Sequence, residues 1–485
     1  MTTVLAVDQG TSATKALVVA GDGAVLGAAE VPVHPVALDG GGVEQDAEEL
    51  WRSVLEAGAA ALGAAPDGTR VDAVALANQG ETVLPWDRVS GEPLARALVW
   101  QDRRSAGICD RLAADGWDER LSARTGLALD PYFAAPKIAW LREHVTRDGV
   151  ATTSDTWLLH RLCGAYATDA ATASRWLLLD LDTVTWSDEA CGAFAIDGSE
   201  LPAVVTCAQT VGTTRAFGHE VPVCGLAVDQ QAALFAEACL EPGEAKCTYG
   251  TGAFLLTTVG PVPRRSANGL VACVAWRLPG TGAPATTYCL DGQVYTVGAA
   301  VHWLAELGLV GSAAELDAVG GSAAATGGAV FVPGLAGLGA PFWRPNARGA
   351  FTGLSLATTR AELVRAVVDG VAAQVAWLAR AAGDDLGAPL TRLRVDGGLT
   401  RSRLLMQTQA DLSQVPIEVY ASPHATALGV AALARLATGA AATPADAVGT
   451  WEPAATYEPK ISADEAAARL AAWRAAAEAV MDLGS

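Results

Sequence analysis

The stretch VLAVDQGTSATK, residues 4–15, decides the fold that this sequence predicts. It begins as an apolar strand, turns at Gly10, and continues into a second strand over Ala16–Val19. Backbone N–H groups in such turns form concavities that bind anions, and a carboxylate suits a hard cation such as Mg²⁺. The stretch therefore indicates either a phosphate-binding turn, with Asp8 facing a phosphate-bound Mg²⁺, or an ordinary hairpin.

A second Gly/Thr turn follows much later, in the stretch KCTYGTGAFLL, residues 246–256. It has the same order of strand, polar turn and strand, so the two halves of the chain echo each other in architecture. Two such turns can hold one nucleoside triphosphate from two sides. In the first turn, the phosphate would be bound by hydroxyls or backbone N–H groups of Thr11, Ser12 and Thr14. In the second turn, it would be contacted by Thr251 and Gly252.

Length and composition limit the class of protein. A chain of 485 residues is too long for one core, so at least two domains are expected. The net charge of −20 argues against nucleic acid or an anionic membrane as a partner. The nine cysteines include no C-x-x-C spacing, and the N-terminus has no signal-peptide pattern. We therefore expect reduced thiols and a cytoplasmic protein.

Strands and helices alternate along the chain, which predicts an α/β fold. Residues 1–241 form the expected first domain, residues 242–440 the second, and residues 441–485 a loop-rich tail with a terminal helix. The helices predicted over Ala232–Leu240 and Ala425–Ala437 are rich in small residues. Small side chains let helices approach closely, so we expect these two to cross between the domains, where a hinge would lie.

Asp229 follows an apolar strand and precedes a helix. A carboxylate there can accept the proton of a substrate hydroxyl, although aspartate is also a common helix N-cap. Asp396, Gly397 and Gly398 form a strand-to-helix turn, where a purine could lie against glycine backbone or where the chain simply turns.

A carboxylate and three aromatic rings lie at strand ends or helix breaks. Such a set suits a small polyhydroxylated ligand, although each ring taken alone is more typical of a core. The six histidines show no metal-ligand spacing. His302 stands apart because it lies on a helix near the proposed nucleotide. The carboxylate and rings are Glu81, Trp100, Tyr132 and Phe254.

Taken together, these motifs resemble those of the FGGY carbohydrate kinases of the actin/hexokinase-like ATPase superfamily, and most of all the glycerol kinases within that family. The resemblance runs over residues 3–440. Residues 349–369 look like one family signature, and residues 132–144 resemble the other except at Ala134. The motifs are DQGT (8–11), VWQDRR (99–104), DPYF (130–133), AVDQQAALF (227–235), TYGTG (248–252) and GLGAP (337–341).

The resemblance implies two actin/hexokinase-like (ribonuclease H-like) ATPase domains around an interdomain cleft, with ATP and Mg²⁺ as cofactors and a polyol or sugar as substrate. By position, Asp229 is the catalytic base and Asp8 orients the metal. A homodimer or homotetramer is a further expectation. The implied substrate contacts are Glu81, Trp100, Tyr132, Asp229, Gln230 and Phe254, and the implied nucleotide contacts are Thr11, Ser12, Thr14, Thr251, Gly252, Gly298, His302, Gly397, Gly398 and Ser402.

One departure from the glycerol kinase pattern concerns the acceptor. The chain reads NQGET over residues 78–82, with Gly80 where those kinases carry an arginine that holds polyol hydroxyls. Losing a charged hydrogen bond weakens binding about tenfold to a hundredfold. Glycerol therefore remains the first candidate, and another polyol or a pentulose the alternative, unless Arg103 or Arg104 reaches the gap. Residues 399–403 also look more like pentulose kinases.

A candidate of another class is a non-catalytic actin-like nucleotide sensor. It would need the two phosphate turns but neither Asp229 nor the aromatic set, and the chain has both. A chaperone-type ATPase would need a peptide-binding domain, and about 45 residues after the second half are too few for one.

Overall fold

The computed structural model of this protein describes residues 2–280 and 282–483. Both halves of the chain combine a mixed sheet with packed helices. The first half contains, in chain order, β1 (Val4–Gln9), β2 (Ala13–Val19), β3 (Val25–Pro32), β4 (Val36–Leu38), β5 (Gly42–Gln45), α1 (Ala47–Ala64), β6 (Ala73–Asn78), β7 (Val83–Trp86), β8 (Ala97–Leu98), α2 (Ala106–Ala114), α3 (Trp117–Thr125), α4 (Ala134–His144), β9 (Val150–Thr153), α5 (Ser154–Cys163), β10 (Ala167–Asp169), α6 (Ala170–Ala173), β11 (Leu179–Asp180), β12 (Thr185–Trp186), α7 (Asp188–Ala193), β13 (Ala203–Val205), β14 (Gly212–Thr214), β15 (Val221–Val228) and α8 (Asp229–Ala236).

Within the part of the chain that the structure describes, no helix has both the length and the apolar character needed to cross a bilayer.

The second half of the chain repeats the alternation of strands and helices, with longer helices. Its elements are β16 (Ala245–Tyr249), β17 (Ala253–Gly260), β18 (Val271–Leu278), β19 (Ala285–Val294), α9 (Gly298–Glu306), α10 (Leu316–Gly320), β20 (Val330–Val332), β21 (Ala350–Thr352), α11 (Arg360–Leu386), β22 (Leu393–Asp396), α12 (Arg403–Ser413), β23 (Ile417–Val419), α13 (Ala425–Ala437), α14 (Pro444–Val448), β24 (Ala455–Tyr457) and α15 (Ala463–Leu483).

The main sheet of the first domain has the strand order β14-β15-β6-β1-β2-β3. β1 pairs with β2 in antiparallel fashion and with β6 in parallel fashion, and β15 is parallel to β6. Asp8 lies opposite Ala77, and Val228 lies opposite Asn78. The carboxyl ends of these three parallel strands therefore meet at one edge of the sheet, where ligands of α/β folds bind.

The sheet of the second domain repeats this plan with the order β18-β19-β17-β16-β22-β23-β24. β16 and β17 form the antiparallel hairpin that corresponds to β1 and β2, and β22 is parallel to β16 as β6 is to β1. Thr248 lies opposite Asp396, so these two strands also end at one edge. The echo that the sequence predicts between residues 4–15 and 246–256 is therefore present in the fold.

The C-terminal residues are more ordered than the sequence predicts. The part of the tail before its terminal helix, expected to be loop-rich, contains α14 and β24, and β24 pairs with β23 at the edge of the second sheet. α15 packs into the core of the second domain through Leu470, Trp473 and Ala477, and the Trp473 indole donates a 3.0 Å hydrogen bond to the Phe331 carbonyl. The tail is thus part of the second domain's packing.

Helices α8 and α13 cross in direct contact, as their small residues predict. A Cβ at Gly429 would overlap the Ala232 carbonyl, so only glycine fits there. Gly225, in the left-handed region at φ 74°, likewise has no room for a side chain against the Val430 carbonyl. Residues of α13 are buried in the same core as β1, β6 and β15. A helix from the second half therefore completes the first domain.

The same change, glycine to alanine, at two different positions tests the close contact between α8 and α13. Gly429→Ala places a methyl group on the Ala232 backbone and should lower the free energy of unfolding by ~1–3 kcal/mol. Gly63→Ala, at an open position near the end of α1, should instead raise it by ~0.5–1 kcal/mol, because alanine loses less backbone entropy. Urea denaturation followed by circular dichroism measures both. Equal effects at the two sites would contradict the close crossing.

Candidate active site

Two carboxylates lie at the shared edge of the first sheet. Asp8 is on β1, and Asp229 is the first residue of α8, where its side chain accepts a 2.7 Å hydrogen bond from the Gln230 N–H. Burial, reinforced by the Asp8 carboxylate, raises the pKa of Asp229 from 3.8 to about 6, against the opposing charge of Lys246. Burial raises the pKa of Asp8 to about 6 as well, against Lys15. Both acids therefore lie in an environment that disfavours their charge.

The second domain brings a third carboxylate and a buried lysine to this edge. Asp396 ends β22, and burial raises its pKa while Lys246 opposes the rise. The fully buried Lys246 ammonium donates to Gln230 Oε1 at 2.6 Å and to Thr248 Oγ1 at 2.8 Å. Lys246 thus joins the two domains between their acidic residues.

The acidic residues suit Mg²⁺, although no complete ligand set is formed. Across residues 2–280 and 282–483, no group of three or more histidine, cysteine, aspartate or glutamate side chains is arranged to hold a metal ion. Mg²⁺ keeps most of its waters and needs only one or two carboxylates. The Asp396 carboxylate contributes to the raised pKa of Asp8, after burial, and its buried Oδ1 lacks a hydrogen-bond partner in the described chain. A cation near Asp8 would therefore relieve both groups.

The first turn exposes part of the predicted phosphate contact set. It is closed by a 3.1 Å hydrogen bond from the Gly10 N–H to the Ala13 carbonyl, and Ser12 is exposed. Thr11 Oγ1 accepts a 2.9 Å hydrogen bond from the Trp100 indole. The Thr14 hydroxyl is not free for a nucleotide, because this side chain is fully buried and hydrogen-bonded to Ser53 Oγ at 2.6 Å. The geometry therefore does not support the prediction that this hydroxyl contacts nucleotide.

The second turn is packed against the start of α9. The Gly250 N–H donates to the Gly252 carbonyl at 2.9 Å, and the Gly298 N–H donates to the Gly250 carbonyl at 3.0 Å. A Cβ at Gly298 would come within 2.5 Å of that carbonyl, and one at Gly252 within 2.5 Å of the Val294 carbonyl. These glycines are therefore required by close backbone packing, and Thr251 remains exposed at the tip.

The third turn places Gly397 against the second. Gly397 has φ 95°, and a Cβ there would overlap the Tyr249 backbone, whereas the space beside Gly398 is open. The Ser402 hydroxyl is engaged within the protein, so the geometry does not support the prediction that Ser402 contacts nucleotide. Its Oγ caps α12 by accepting from the Leu405 N–H at 3.1 Å and donates to the Asp317 carboxylate.

The side chain of His302 is not among the predicted site residues that the structure brings together. Its side chain is 78% exposed on α9, and its Nε2 lies 3.4 Å from Glu306 Oε1. None of the contacts that the structure shows for His302 joins it to the phosphate turns. The prediction that it contacts nucleotide therefore gains no support from the geometry.

The aromatic residues predicted to face the substrate do meet. The Trp100 ring lies edge-on to Tyr132 at 5.8 Å and to Phe254 at 5.9 Å between centroids. Tyr295, which the sequence analysis missed, lies 6.1 Å from Tyr132. Trp100 and Tyr132 come from the first domain and Phe254 and Tyr295 from the second. The cluster therefore spans the junction between the domains.

Glu81 is buried beside this cluster and is bound by an arginine that the sequence analysis also missed. Its Oε1 accepts a 2.6 Å hydrogen bond from Arg175 Nε. Arg103 is paired with Asp130 at 2.9 Å, and its Cζ lies 6.0 Å from the centre of the Tyr295 ring. Arg104 is paired with Asp102 and Glu44. The sequence feature that could have drawn attention to Arg175 is its position as a charged residue directly before the apolar run WLLL, residues 176–179.

Comparison with known proteins agrees with this geometry. Residues 3–236 match the N-terminal domain, and residues 245–438 the C-terminal domain, of the FGGY family of carbohydrate kinases. The chain belongs to the FGGY family of carbohydrate kinases. It is accordingly a phosphotransferase with an alcohol group as acceptor. The predicted boundary between residues 241 and 242 lies in the interval between the two matches and stays a prediction.

Individual relatives extend the similarity over nearly the whole FGGY chain. A glycerol kinase of Bordetella parapertussis is 42% identical over 489 residues, covering 98% of this chain and 96% of the relative. One of Myxococcus xanthus is 42% identical over 490 residues, covering 98% of each. The crystal structure of Plasmodium falciparum glycerol kinase with ADP superposes with a TM-score of 0.89 at 29% identity, covering 99% of this chain and 98% of that one. The two-domain actin/hexokinase-like fold is thereby confirmed.

The raised pKa of Asp229 makes a prediction about stability. Between the pKa of the unfolded chain, 3.8, and about 6, the folded state binds this proton more tightly, so its stability falls as pH rises through that range. Asp229→Asn removes this cost. At about pH 7.5 it should stabilise the ligand-free protein by on the order of 1 kcal/mol after solvent screening, or ~1–2 °C in Tm.

The gain should shrink as pH falls from about 6 and disappear at about pH 3, where Asp229 is mostly protonated in both the folded and the unfolded state. Asp110→Asn, on the exposed face of α2, is the matched control and should leave Tm unchanged at either pH. Differential scanning calorimetry measures the difference. A lower Tm for Asp229→Asn at about pH 7.5 would show that the carboxylate stabilises the fold instead.

Proposed function

We propose that the protein transfers the γ-phosphoryl group of MgATP to a primary hydroxyl of a small polyol, with glycerol as the first candidate. The observation that carries the proposal is the position of Asp229. It lies at the start of α8, where its carboxylate interacts electrostatically with Asp8, which suits a metal, and with Glu81 and Tyr132 of the proposed acceptor side. The curated relatives that match nearly the whole chain are glycerol kinases, which supports glycerol over other polyols.

In the proposed reaction Asp229 accepts the proton of the attacking hydroxyl. The polyol oxygen forms a bond to the γ-phosphorus while the bond from that phosphorus to the β,γ-bridging oxygen breaks, which leaves ADP and a protonated Asp229. A pKa of about 6 suits this role, because the group is mostly ionised at neutral pH yet is a better proton acceptor than an ordinary aspartate.

The other residues position the reactants. Lys246 holds Gln230, the neighbour of the base, through its 2.6 Å hydrogen bond and moderates the pKa of Asp229. Thr11, Ser12 and Thr251 and the backbone of Gly252, Gly298, Gly397 and Gly398 are the proposed nucleotide contacts. Asp8, with Asp396 nearby, would hold Mg²⁺, which in such sites neutralises charge on the phosphoryl oxygens. Trp100, Tyr132, Phe254, Glu81 and Gln230 are the proposed acceptor contacts.

The geometry beside Gly80 favours a small acceptor. A Cβ built on Gly80 would lie 2.9 Å from Val228 Cγ2, so the side-chain direction at this position faces the end of β15 and not open space. The absence of an arginine there consequently creates less room than the sequence alone suggests. A larger polyol or a pentulose remains the alternative acceptor. The oligomeric state and a cytoplasmic location stay predictions.

Replacing the base tests the reaction. Asp229→Asn keeps the size of the side chain but cannot accept the proton, so kcat should fall by about 10²–10⁴. Nucleotide binding, measured by calorimetry with ADP and Mg²⁺, should remain within about twofold, because the phosphate turns are unchanged. Asp110→Asn should keep wild-type kcat. Near-normal turnover in Asp229→Asn would remove this residue from the mechanism. If the wild type binds nucleotide but turns over no polyol, the hypothesis of a non-catalytic nucleotide sensor is supported instead.

An acceptor screen tests the substrate. ADP release is measured with glycerol, erythritol, xylitol, xylulose, ribulose and gluconate. We expect the highest kcat/KM for glycerol, with the pentuloses lower by at least about tenfold, the cost of one poorly placed charged hydrogen bond.

Variants at Gly80 refine this test. Gly80→Arg should need a compensating Val228→Ala, because Val228 occupies the space into which the new side chain points. Gly80→Ala is the steric control. The glycerol assignment fails if glycerol gives no saturable turnover with the wild type and the Gly80→Arg/Val228→Ala variant does not create any.

A further inference from the structure

Arg175 connects the acceptor side of the site with the second domain. Its side chain is almost completely buried, with Nε donating to Glu81 and Nη1 donating to Cys273 Sγ at 3.0 Å and to the Asp291 carboxylate. Its Cζ lies 5.4 Å from the centre of the Tyr132 ring. Burying a guanidinium is costly unless it is paired. Arg175 is paired with one carboxylate in each domain: Nε, at one end of its guanidinium, with Glu81 in the first domain, and Nη1, at the other end, with Asp291 in the second.

Glu81 is held in an uncommon backbone conformation at the first of these ends. Its φ is 56°, in the left-handed region, and the Thr82 N–H donates to the Gly80 carbonyl at 2.8 Å across it. A non-glycine residue in such a turn costs free energy and persists where the surroundings determine it. Oε1 is bound to Arg175, and Oε2 has no hydrogen-bond partner among residues 2–280 and 282–483. One oxygen is thus fixed and the other is left for a ligand hydroxyl.

The second end of Arg175 is anchored in the sheet of the second domain. Asp291 is on β19 and Cys273 is on the adjacent strand β18, two residues after Val271, which pairs with Asp291. Asp291 Oδ2 also accepts a 2.6 Å hydrogen bond from Gln293 Nε2. The Glu81 carboxylate is therefore linked through one guanidinium to an interior strand of the other domain's sheet, and a displacement of that strand would change the position of the arginine.

We propose that Arg175 is a positioning residue for the acceptor: it keeps the Glu81 carboxylate charged and directed at a polyol hydroxyl, and it makes this arrangement depend on the position of β18 and β19. The inference rests on the proposed function, since it takes the acceptor to be a polyol bound at Glu81. Arg175 then supplies a cation at Glu81, the residue that follows Gly80.

The charged and titratable groups around Glu81 show why the arginine matters. Burial raises the pKa of Glu81, and Arg175 is the strongest group that opposes the rise, followed by Lys137. Lys137 is itself a weak substitute, because burial lowers its own pKa to about 7. Asp229 adds to the rise. Tyr132 and Cys273 also interact with Glu81.

Carbon NMR tests the electrostatic part without any turnover. In protein labelled with [δ-¹³C]glutamate, the Glu81 signal is identified by its loss in Glu81→Gln, and its shift is followed with pH. Arg175→Gln should raise the pKa of Glu81 by at least about one unit, because the nearest opposite charge is removed. Arg161→Gln is the matched control: Arg161 pairs with Glu48 at 2.6 Å and lies over two tryptophan rings, Trp51 and Trp157, in the same domain.

An unchanged pKa of Glu81 in Arg175→Gln overturns the proposal, and so does an equal rise in Arg161→Gln. If circular dichroism shows that Arg175→Gln does not fold, Arg175→Lys takes its place. Lysine keeps the charge but lacks the planar fork that reaches both carboxylates. It should therefore leave the pKa of Glu81 within about half a unit of wild type while weakening polyol binding, and a folded Arg175→Lys with wild-type polyol affinity would overturn the proposal.

Steady-state kinetics test the positioning part. Arg175→Gln should raise KM for glycerol at least about tenfold and leave KM for ATP within about twofold, since only the acceptor contact is lost. Arg175→Lys should recover part of the loss, and Arg161→Gln should match wild type. A uniform loss for both substrates would show a merely structural role. If the wild type turns over no polyol, the proposed function fails, and the NMR titration still decides what Arg175 does to Glu81.

Discussion

The buried ammonium group of Lys246 is the interaction on which the junction between the domains depends. Its contacts are the neutral oxygens of Gln230 and Thr248, one from each domain, while Asp229 and Asp396 supply the compensating negative charge from further away. A buried cation without such charge would be strongly unfavourable. The lysine thus links the edges of the two sheets and lies close enough to Asp229 and Asp396 to lower the pKa of each.

Much of the fold could be predicted because its determinants are local. The two strand–turn–strand units, the helix capped by Asp46, and the small-residue helix Ala425–Ala437 are encoded within short stretches. Thr14 shows why the residue types near a turn do not by themselves predict which side chains face a ligand. Side chains alternate along a strand, so while Thr14 is buried against α1, its neighbour Lys15 lies where its charge lowers the pKa of Asp8.

The parts of the site that the sequence did not reveal depend on contacts between distant residues. Arg175 meets Glu81 and Asp291 across separations of 94 and 116 residues, and no spacing rule connects them. Ser402 was open to a local interpretation, since a serine before a helix is a common N-cap. Glu81, Trp100, Tyr132 and Phe254 could be grouped because each adjoins a recognisable motif, whereas Tyr295 adjoins none.

The contribution of α13 to the first domain has a consequence for the order in which this protein folds on the ribosome. Domains generally fold as they emerge, starting from the N-terminus. Here the helix that covers β1, β6 and β15 is residues 425–437, so the first sheet keeps an apolar face uncovered until most of the chain has been translated. Nascent chains that stop before this helix would present that face to chaperones, or to each other.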